Sequence, residues 1–340
     1  MGVTFLIGNG FDLNLGMKTR YTDMYDSYIK SKSKSTVIEN FKKDLQKEEH
    51  NHYQNWSDFE MGMAKYAENF IDENKFIECI RDFKAHMVNW LRKEQTELLD
   101  VLWDEVDINI FVDSIINFFA GLTPNVQHEI GDTLSLRNLC YCDFVSFNYT
   151  RILDELLSEV PDKAVVGTYT RFKINSEVIH IHGDLDNDVV LGVDNITQIK
   201  PSFDISQKTK QAFVKPEFNK NFDYRRVENA TEVINNSVVV CAYGLSLGAS
   251  DKMWVNVIKE WLLSNEQHHL VFFVFDSNTI PAFNFDLRME KEIDLKYDLF
   301  DKMNLSDEQR ETVWNRVHIP VSSNLFAGLE TYDEEDFAVV

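Results

Sequence analysis

Four short motifs of this sequence contain groups that could do chemistry. One holds two histidines, His180 and His182, whose spacing of two places both on one face of a strand, where one could act as a base near neutral pH. Another holds Asn148, whose side-chain amide could position a ligand. The other two bear glycines, at 8–10 and 244–248, and could offer backbone N–H groups to a phosphate. Together they indicate a site for a phosphorylated ligand beside a histidine base.

The histidine motif also leaves open a metal-dependent hydrolase, as a lesser alternative. His180, His182 and Asp184 resemble the start of the metallo-β-lactamase ligand motif H-x-H-x-D-H, but Leu185 stands where its last histidine belongs. The four cysteines include no C-x-x-C pair, so they indicate free thiols rather than a zinc ribbon or a redox dithiol. We therefore predict no bound metal.

Short apolar runs predict the strands that must position these motifs. The first run, Val3–Ile7, leads directly into the glycines, and a helix is expected to start near Asp12. Further strands are expected at 144–146, 164–166, 178–180, 189–191, 238–240 and 270–275. Helical stretches near 152–157 and 254–263 follow some of them, which indicates an α/β fold with a mostly parallel sheet. In such a sheet ligands bind at the carboxyl ends of the strands, where the four motifs fall.

A block between the first strand and the others has a different, helical periodicity. From 24 to 118, apolar residues recur three and four positions apart, and no long apolar β-branched run interrupts them. The predicted fold is a Rossmann-like, mostly parallel sheet of residues 1–22 and 136–340 with a large α-helical insertion at 23–135. The dinucleotide fingerprint G-x-G-x-x-G is not met, because Leu13 stands where its third glycine belongs.

Composition excludes some classes of partner. The chain has 340 residues, 44% of them hydrophobic, which is enough for a full core, and a net charge of -22. A nucleic-acid binder needs a basic face, so we expect no nucleic-acid partner. The longest apolar runs are strand-sized and no basic segment followed by an apolar core opens the chain, so we expect a cytoplasmic protein without a membrane partner.

Six segments share a common pattern with a known family. They read LIGNGFDLNLGMKTRYTD at 6–23, WSDFE at 56–60, SFNYT at 146–150, HIHGDL at 180–185, LGVD at 191–194 and YGLSLGASD at 243–251. Together they resemble the bacteriophage abortive infection family AbiH. The resemblance covers residues 5 to about 255, and the opening segment is long enough to be fairly specific. It implies a role in abortive infection.

The same motifs are more distantly similar to sirtuin-type NAD-binding domains. Asn148 matches the Asn of the sirtuin T-Q-N-I-D motif, His182-Gly183 matches the catalytic His-Gly, and 244–247 matches the G-T-S-L turn. The sirtuin spacing G-x-G-x5-G is reproduced by Gly8, Gly10 and Gly16.

Three departures from sirtuins narrow what this similarity implies. Tyr21 stands where sirtuins carry an arginine, Thr150 replaces an acidic residue after Asn148, and the cysteine zinc module is missing. Without that module, protein deacylation is not expected. What the resemblance implies is NAD binding and cleavage of the nicotinamide–ribose bond, with water as the acceptor and NAD as substrate rather than cofactor.

The resemblance assigns roles to individual residues. His182 would be the base and Asn148 would position ribose and water. The diphosphate would rest on the N–H groups at 8–10, Asp12 would cap the helix or face the nicotinamide, and Asp276 at a strand end would bind the adenosine ribose. The full set of expected ligand-binding residues is Gly8, Asn9, Gly10, Asp12, Gly16, Thr19, Tyr21, Gly183, Gly244, Ser246 and Asp276.

The function that follows from the resemblance is an anti-phage effector that depletes cellular NAD. Its expected partners are NAD or a related nucleotide and an unidentified phage-derived trigger, with self-association left open. The alternative is a non-catalytic nucleotide sensor or scaffold in phage defence, because the sheet and the glycine loop would be the same in both cases.

Overall fold

A seven-stranded sheet organises the protein, whose computed structural model describes residues 2–48, 56–99, 103–221, 225–274, 280, 284–321 and 325–329. The strands are β1 (Gly2–Ile7), β2 (Cys140–Ser146), β3 (Val165–Val166), β4 (Arg171–His180), β5 (Ser237–Tyr243), β6 (His269–Phe273) and β7 (Val317–His318). Their order across the sheet is β3-β4-β2-β1-β5-β6-β7. All neighbouring pairs are parallel except β3 with β4. The carboxyl ends of six strands therefore meet at one edge.

Helices fill most of the segments between the strands. In chain order they are α1 (Gly10–Asn14), α2 (Tyr21–Lys30), α3 (Thr36–Glu48), α4 (Trp56–Tyr66), α5 (Glu73–Leu99), α6 (Glu105–Ile116), α7 (Pro124–Ser135), α8 (Ile152–Glu159), α9 (Gln207–Phe213), α10 (Lys215–Asn221), α11 (Arg226–Asn235), α12 (Lys252–Ser264), α13 (Phe285–Lys302) and α14 (Asp307–Val313). Within the described part of the chain, no helix combines the length and the apolar character needed to cross a membrane.

Both faces of the sheet are buried. In the central strand β1, Val3, Phe5 and Ile7 belong to one hydrophobic cluster with residues of α6, α7 and α8, whereas Leu6 belongs to another with residues of α11, α12 and α13. A strand that is buried on both faces has a nearly continuous run of apolar residues in its sequence. This run makes the first strand recognisable from the sequence.

The helices α2 to α5 form a third hydrophobic cluster. Tyr28, Phe59 and Phe83 pack there with residues such as Val193 and Phe213 from the segment that follows β4. The block predicted to be helical thus consists mainly of helices over its described residues. Its last helix, α6, packs on the sheet instead of in this third cluster.

The predicted strands are found except at 189–191, although the strand predicted at 270–275 extends only to Phe273 and residue 275 lies outside the described part of the chain. The prediction at 189–191 is wrong, because Val189 and Leu191 are buried in the third cluster and lie in no strand, while the Val190 N–H donates to the His182 carbonyl oxygen (2.8 Å). A short apolar run indicates burial but does not say against which element. The strand expected at 164–166 is present as β3, which is an antiparallel edge strand.

Candidate functional site

A cavity of about 660 Å³ opens at the carboxyl edge of the sheet. Most of the predicted site residues line it, namely Gly8, Asn9, Gly10, Asp12, Thr19, Tyr21, Asn148, His182, Gly244 and Ser246. They lie beyond the carboxyl ends of β1, β2, β4 and β5, in loops and in α1 and α2, and residues of β6 and α13 line the cavity as well. Since β4 and β6 are four strand spacings apart, the edge between them measures about 19 Å. The cavity has room for an extended ligand.

Two of the predicted residues that the structure describes are not found in the cavity lining. Gly16, just after α1, and Gly183, just after His182, have φ angles of 81° and 73°, which favour glycine. Both glycines turn the chain beside the site, and their expected contact with a ligand stays a prediction. Asp276 lies outside the described residues.

The glycines of the two glycine-bearing motifs, at 8–10 and 244–248, face each other across two loops. The Gly8 N–H donates to the Tyr243 carbonyl oxygen (2.9 Å), and the Gly10 N–H donates to the Gly244 carbonyl oxygen (3.0 Å). A Cβ atom at Gly10 would lie 2.4 Å from the Gly244 Cα atom. The predicted phosphate cradle needs correction, because these two amides are already bound to protein carbonyls. Glycine is required here by the close approach of two backbones.

Asp12 and Asn148 are joined in the wall of the cavity. The Asn148 side-chain amide donates to Asp12 Oδ1 (2.9 Å) and to the Gly8 carbonyl oxygen (3.1 Å), so both of its N–H groups are used. The Thr150 hydroxyl donates to Asp12 Oδ2 (2.7 Å). Burial raises the pKa of Asp12 to about 7, against the effect of the bonds from Thr150 and Asn148. Asp12 does not cap α1, and the atom of Asn148 left for a ligand is Oδ1.

His182 is a buried histidine held by a carboxylate. Its side chain lies in the cavity lining with only 7% of its surface exposed, and its Nε2 is 3.3 Å from Asp251 Oδ1. Burial, followed by the positive charge of Lys215, lowers the pKa of His182 below its usual value, although Asp251 acts in the opposite direction. The ring is therefore neutral at pH 7. Because Nε2 donates to the carboxylate, Nδ1 carries the lone pair.

His180 lies apart from the cavity. Its Nδ1 faces the Asn148 carbonyl oxygen (3.2 Å) and its Nε2 faces Asp154 Oδ2 (2.8 Å). Burial opposes its charged form, but the bond to Asp154 and the charge of that carboxylate prevail and raise the pKa of His180. His180 and His182 thus contact different carboxylates, and Asp184 accepts hydrogen bonds from Asn187.

The metal-site alternative finds no geometric support. Over the residues that the structure describes, no three His, Cys, Asp or Glu side chains form a group that could hold a metal ion. His180, His182 and Asp184 therefore do not converge as the ligand motif H-x-H-x-D-H would require.

A buried lysine that the sequence reasoning missed completes the site. Lys215 Nζ lies 3.0 Å from Glu60 Oε2, 3.1 Å from Asp251 Oδ1 and 3.2 Å from the Ser250 carbonyl oxygen. Burial raises the pKa of Glu60 to about 7, with Lys215 opposing. Burial also works against ionised Asp251, but the charge of Lys215 prevails and lowers the pKa of that carboxyl group. Lys215, Glu60 and Asp251 all line the cavity.

Sequence signals for these residues differ. Glu60 ends the segment WSDFE and Asp251 ends YGLSLGASD, so both lie in motifs that carry the family resemblance, without a role attached to either. Lys215 lies in no such motif. Nothing in its local sequence distinguishes it from the lysines nearby.

The segments that form this site lie within the span of a known family model. No curated protein matches the chain. A family model described as "Bacteriophage abortive infection AbiH" matches residues 4–273, a span that contains all the motifs discussed above. The chain therefore belongs to the bacteriophage abortive infection family AbiH.

Proposed function

We propose that this AbiH protein binds NAD, or a related nucleotide, in the cavity and hydrolyses the bond between nicotinamide and ribose. Family membership implies a role in phage abortive infection. The observation that carries the proposal is that one cavity brings a neutral, carboxylate-bound His182 together with the side chain of Asn148. The protein would act in the infected cell by depleting NAD.

The order of the parallel strands supports a Rossmann-like, sirtuin-like sheet. Numbered along the chain, the six parallel strands have the spatial order 3-2-1-4-5-6, which is typical of dinucleotide-binding sheets. Ligands of such sheets bind where the order reverses, and here that point lies between β1 and β5, beside the cavity. We take residues 1–22 and 136–340 as this unit and 23–135 as its insertion.

The diphosphate is best placed at the loop 244–248 and not on the amides of Gly8 and Gly10. Lys302 and Arg20 line the same cavity, and Lys302 Nζ donates to the Ser246 carbonyl oxygen (2.8 Å), which fixes a cation at this loop. Lys215 is less suited to a phosphate because two carboxylates already surround its ammonium group.

The proposed reaction is a hydrolytic displacement at the ribose. The bond from C1′ to the nicotinamide nitrogen breaks with its electron pair on nicotinamide, while the ribose develops oxocarbenium character. A water oxygen bonds to C1′, and its proton passes to the free nitrogen of His182. Asp251 stabilises the imidazolium that forms, as a carboxylate beside a histidine base does in hydrolases. Asn148 Oδ1 would orient the water or a ribose hydroxyl.

A direct assay tests this function. Purified protein is incubated with NAD, and nicotinamide and ADP-ribose, or its cyclised form, are separated and quantified with and without a chelator. We expect nicotinamide release that a chelator leaves unchanged. NAD binding without release would favour the sensor or scaffold alternative, and loss of release with chelator would favour a metal-dependent hydrolase.

A cellular measurement tests the biological role. An enzyme that destroys NAD must be restrained before infection, so we expect the wild-type protein to lower cellular NAD only after a phage trigger or on overexpression. Infected cells that die with NAD at the uninfected level would contradict the hydrolase proposal.

A further inference from the structure

Lys215 places a buried ammonium group where three distant segments meet. Glu60 comes from α4, Asp251 and Ser250 from the 3-10 turn before α12, and Lys215 itself begins α10. Only 5% of the Lys215 surface is exposed, and Glu60 is 2% exposed. A charge so buried persists only when close partners replace its water, and three oxygen atoms within 3.2 Å do so here.

One carboxylate oxygen connects this ammonium group to the histidine. Asp251 Oδ1 is the atom that lies 3.1 Å from Lys215 Nζ and also 3.3 Å from His182 Nε2. The Lys215 ammonium group, itself held by three oxygen atoms, thus fixes the Asp251 carboxylate from one side. This contact orients the carboxylate toward the imidazole ring of His182.

The charges around His182 act in opposite directions. Asp251 favours the charged form of the ring, whereas Lys215 and, from α11, Arg226 disfavour it. Glu60 and Asp194 are the other acids that face Lys215. Phe147 and Tyr149 contribute rings to the surroundings of His182, at centroid distances of 5.8 and 6.4 Å.

We propose that Lys215 is a positioning residue of this site, which fixes the Asp251 carboxylate against His182 and holds the ring in its base form. It touches the base only through Asp251. Its importance for NAD cleavage rests on the proposed function, but its effect on the protonation of His182 can be measured without any substrate.

The test is a titration of His182 by NMR in protein labelled with 13C-histidine. The His182 signal is identified by its absence from the His182→Ala spectrum. In Lys215→Met the signal should titrate about 1 pH unit higher than in wild type, because a nearby positive charge is lost. In Asp251→Asn it should titrate lower, because the ring loses its anionic partner. Shifts in the same direction, or none, would overturn the proposal.

Loss of the lysine leaves two buried carboxylates without their cation, so a second variant protects the test against unfolding. Lys215→Met combined with Glu60→Gln removes one charge of each sign, and it should also raise the titration point of His182. Lys42→Met is the matched control. Lys42 is a buried lysine bound to Ser31 in the helical block, and its loss should leave the His182 titration unchanged.

The kinetics of NAD cleavage provide a second test of the positioning role of Lys215. If wild type cleaves NAD, a titration point about 1 pH unit higher should lower the kcat of Lys215→Met by up to about threefold at pH 7 and by more at pH 6, while kcat at pH 9 and KM should change little. Lys215→Arg, which keeps the charge, should retain more activity than Lys215→Met. A loss that does not depend on pH, or one confined to KM, would contradict the positioning role. If wild type does not cleave NAD, the proposed function fails while the NMR titration still decides this inference.

Discussion

Gly10 donates its backbone N–H to the carbonyl oxygen of Gly244 at 3.0 Å, and the two residues approach so closely that neither has room for a side chain. A Cβ atom on Gly244 would lie 2.6 Å from both the Cα and the N atoms of Gly10. The loops after β1 and β5 are therefore held together by their backbones. The shape of the cavity between them depends on this contact.

Gly10→Ala should separate the two loops. Because the new methyl group meets backbone and not a flexible side chain, we expect the free energy of unfolding to fall by at least ~2 kcal/mol and NAD binding to weaken. Denaturant unfolding and calorimetric titration measure the two effects. The matched control is Gly121→Ala, whose Cβ would meet no atom within 4 Å and which should change stability by less than ~0.5 kcal/mol. Equal stability of the two variants would refute the close-approach argument.

His182→Ala should abolish most NAD cleavage while the fold persists. If the ring supplies the general base, we expect turnover to fall by a factor of roughly 100 or more. Nicotinamide release measures the activity, and circular dichroism with a melting curve checks the fold. His128→Ala removes an exposed histidine of α7 and should leave turnover at the wild-type level. Full activity in His182→Ala would remove this residue from the mechanism.

Asn148→Ala should lower turnover more than it weakens NAD binding. The amide fixes Asp12 and offers Oδ1 to the cavity, and an oriented oxygen matters most as charge develops in the transition state. Turnover of saturated enzyme and NAD affinity are measured separately. Thr150→Val removes the other donor to Asp12 but leaves the amide in place, so it should keep more turnover than Asn148→Ala. A pure loss of affinity in Asn148→Ala would make Asn148 a binding residue only.

Asp12→Asn should change how stability depends on pH. The pKa of Asp12 is raised from 3.8 to about 7 by burial, so the folded protein retains a proton that the unfolded chain loses. This group therefore lowers the stability of wild type as pH rises from about 4 to 7, by an amount on the order of a few kcal/mol. The stability of the Asp12→Asn variant does not fall in this way, because the new side chain carries no titrating proton. Thr150 and Asn148 can still form hydrogen bonds with the side-chain amide of the new asparagine. The free energy of unfolding is measured at pH 5 and pH 8, and the stability of the variant relative to wild type should be greater at pH 8. The same difference at both pH values would contradict the raised pKa of Asp12.

The parts of the fold that the sequence predicts are those coded locally. Buried parallel strands such as β1 and β5 are continuous apolar runs, and glycine, asparagine or histidine follows them where the chain turns at the carboxyl edge. The run at 189–191 misleads because its apolar residues pack among helices. A local apolar pattern predicts that a segment is buried, but it does not predict which element the segment packs against.

The parts of the site that the sequence does not predict depend on contacts between distant segments. Glu60 and Lys215 are 155 residues apart. The sequence around Lys215 therefore does not indicate that carboxyl groups surround it in the fold. For the same reason the amides of Gly8 and Gly10 look available for phosphate until the loop of Gly244 is placed against them. His180 and His182 look equivalent in sequence, but Asp154 binds one and Asp251 the other.

The separation of these contacts along the chain also governs when the site can exist during synthesis. Asp12 leaves the ribosome early, but its partner Asn148 follows 136 residues later, and Lys215 must wait for Asp251. A nascent or prematurely terminated chain that stops before residue 251 of 340 has His182 without its carboxylate. If the protein destroys NAD as proposed, chains that stop before residue 251 would lack the complete site and would be inactive.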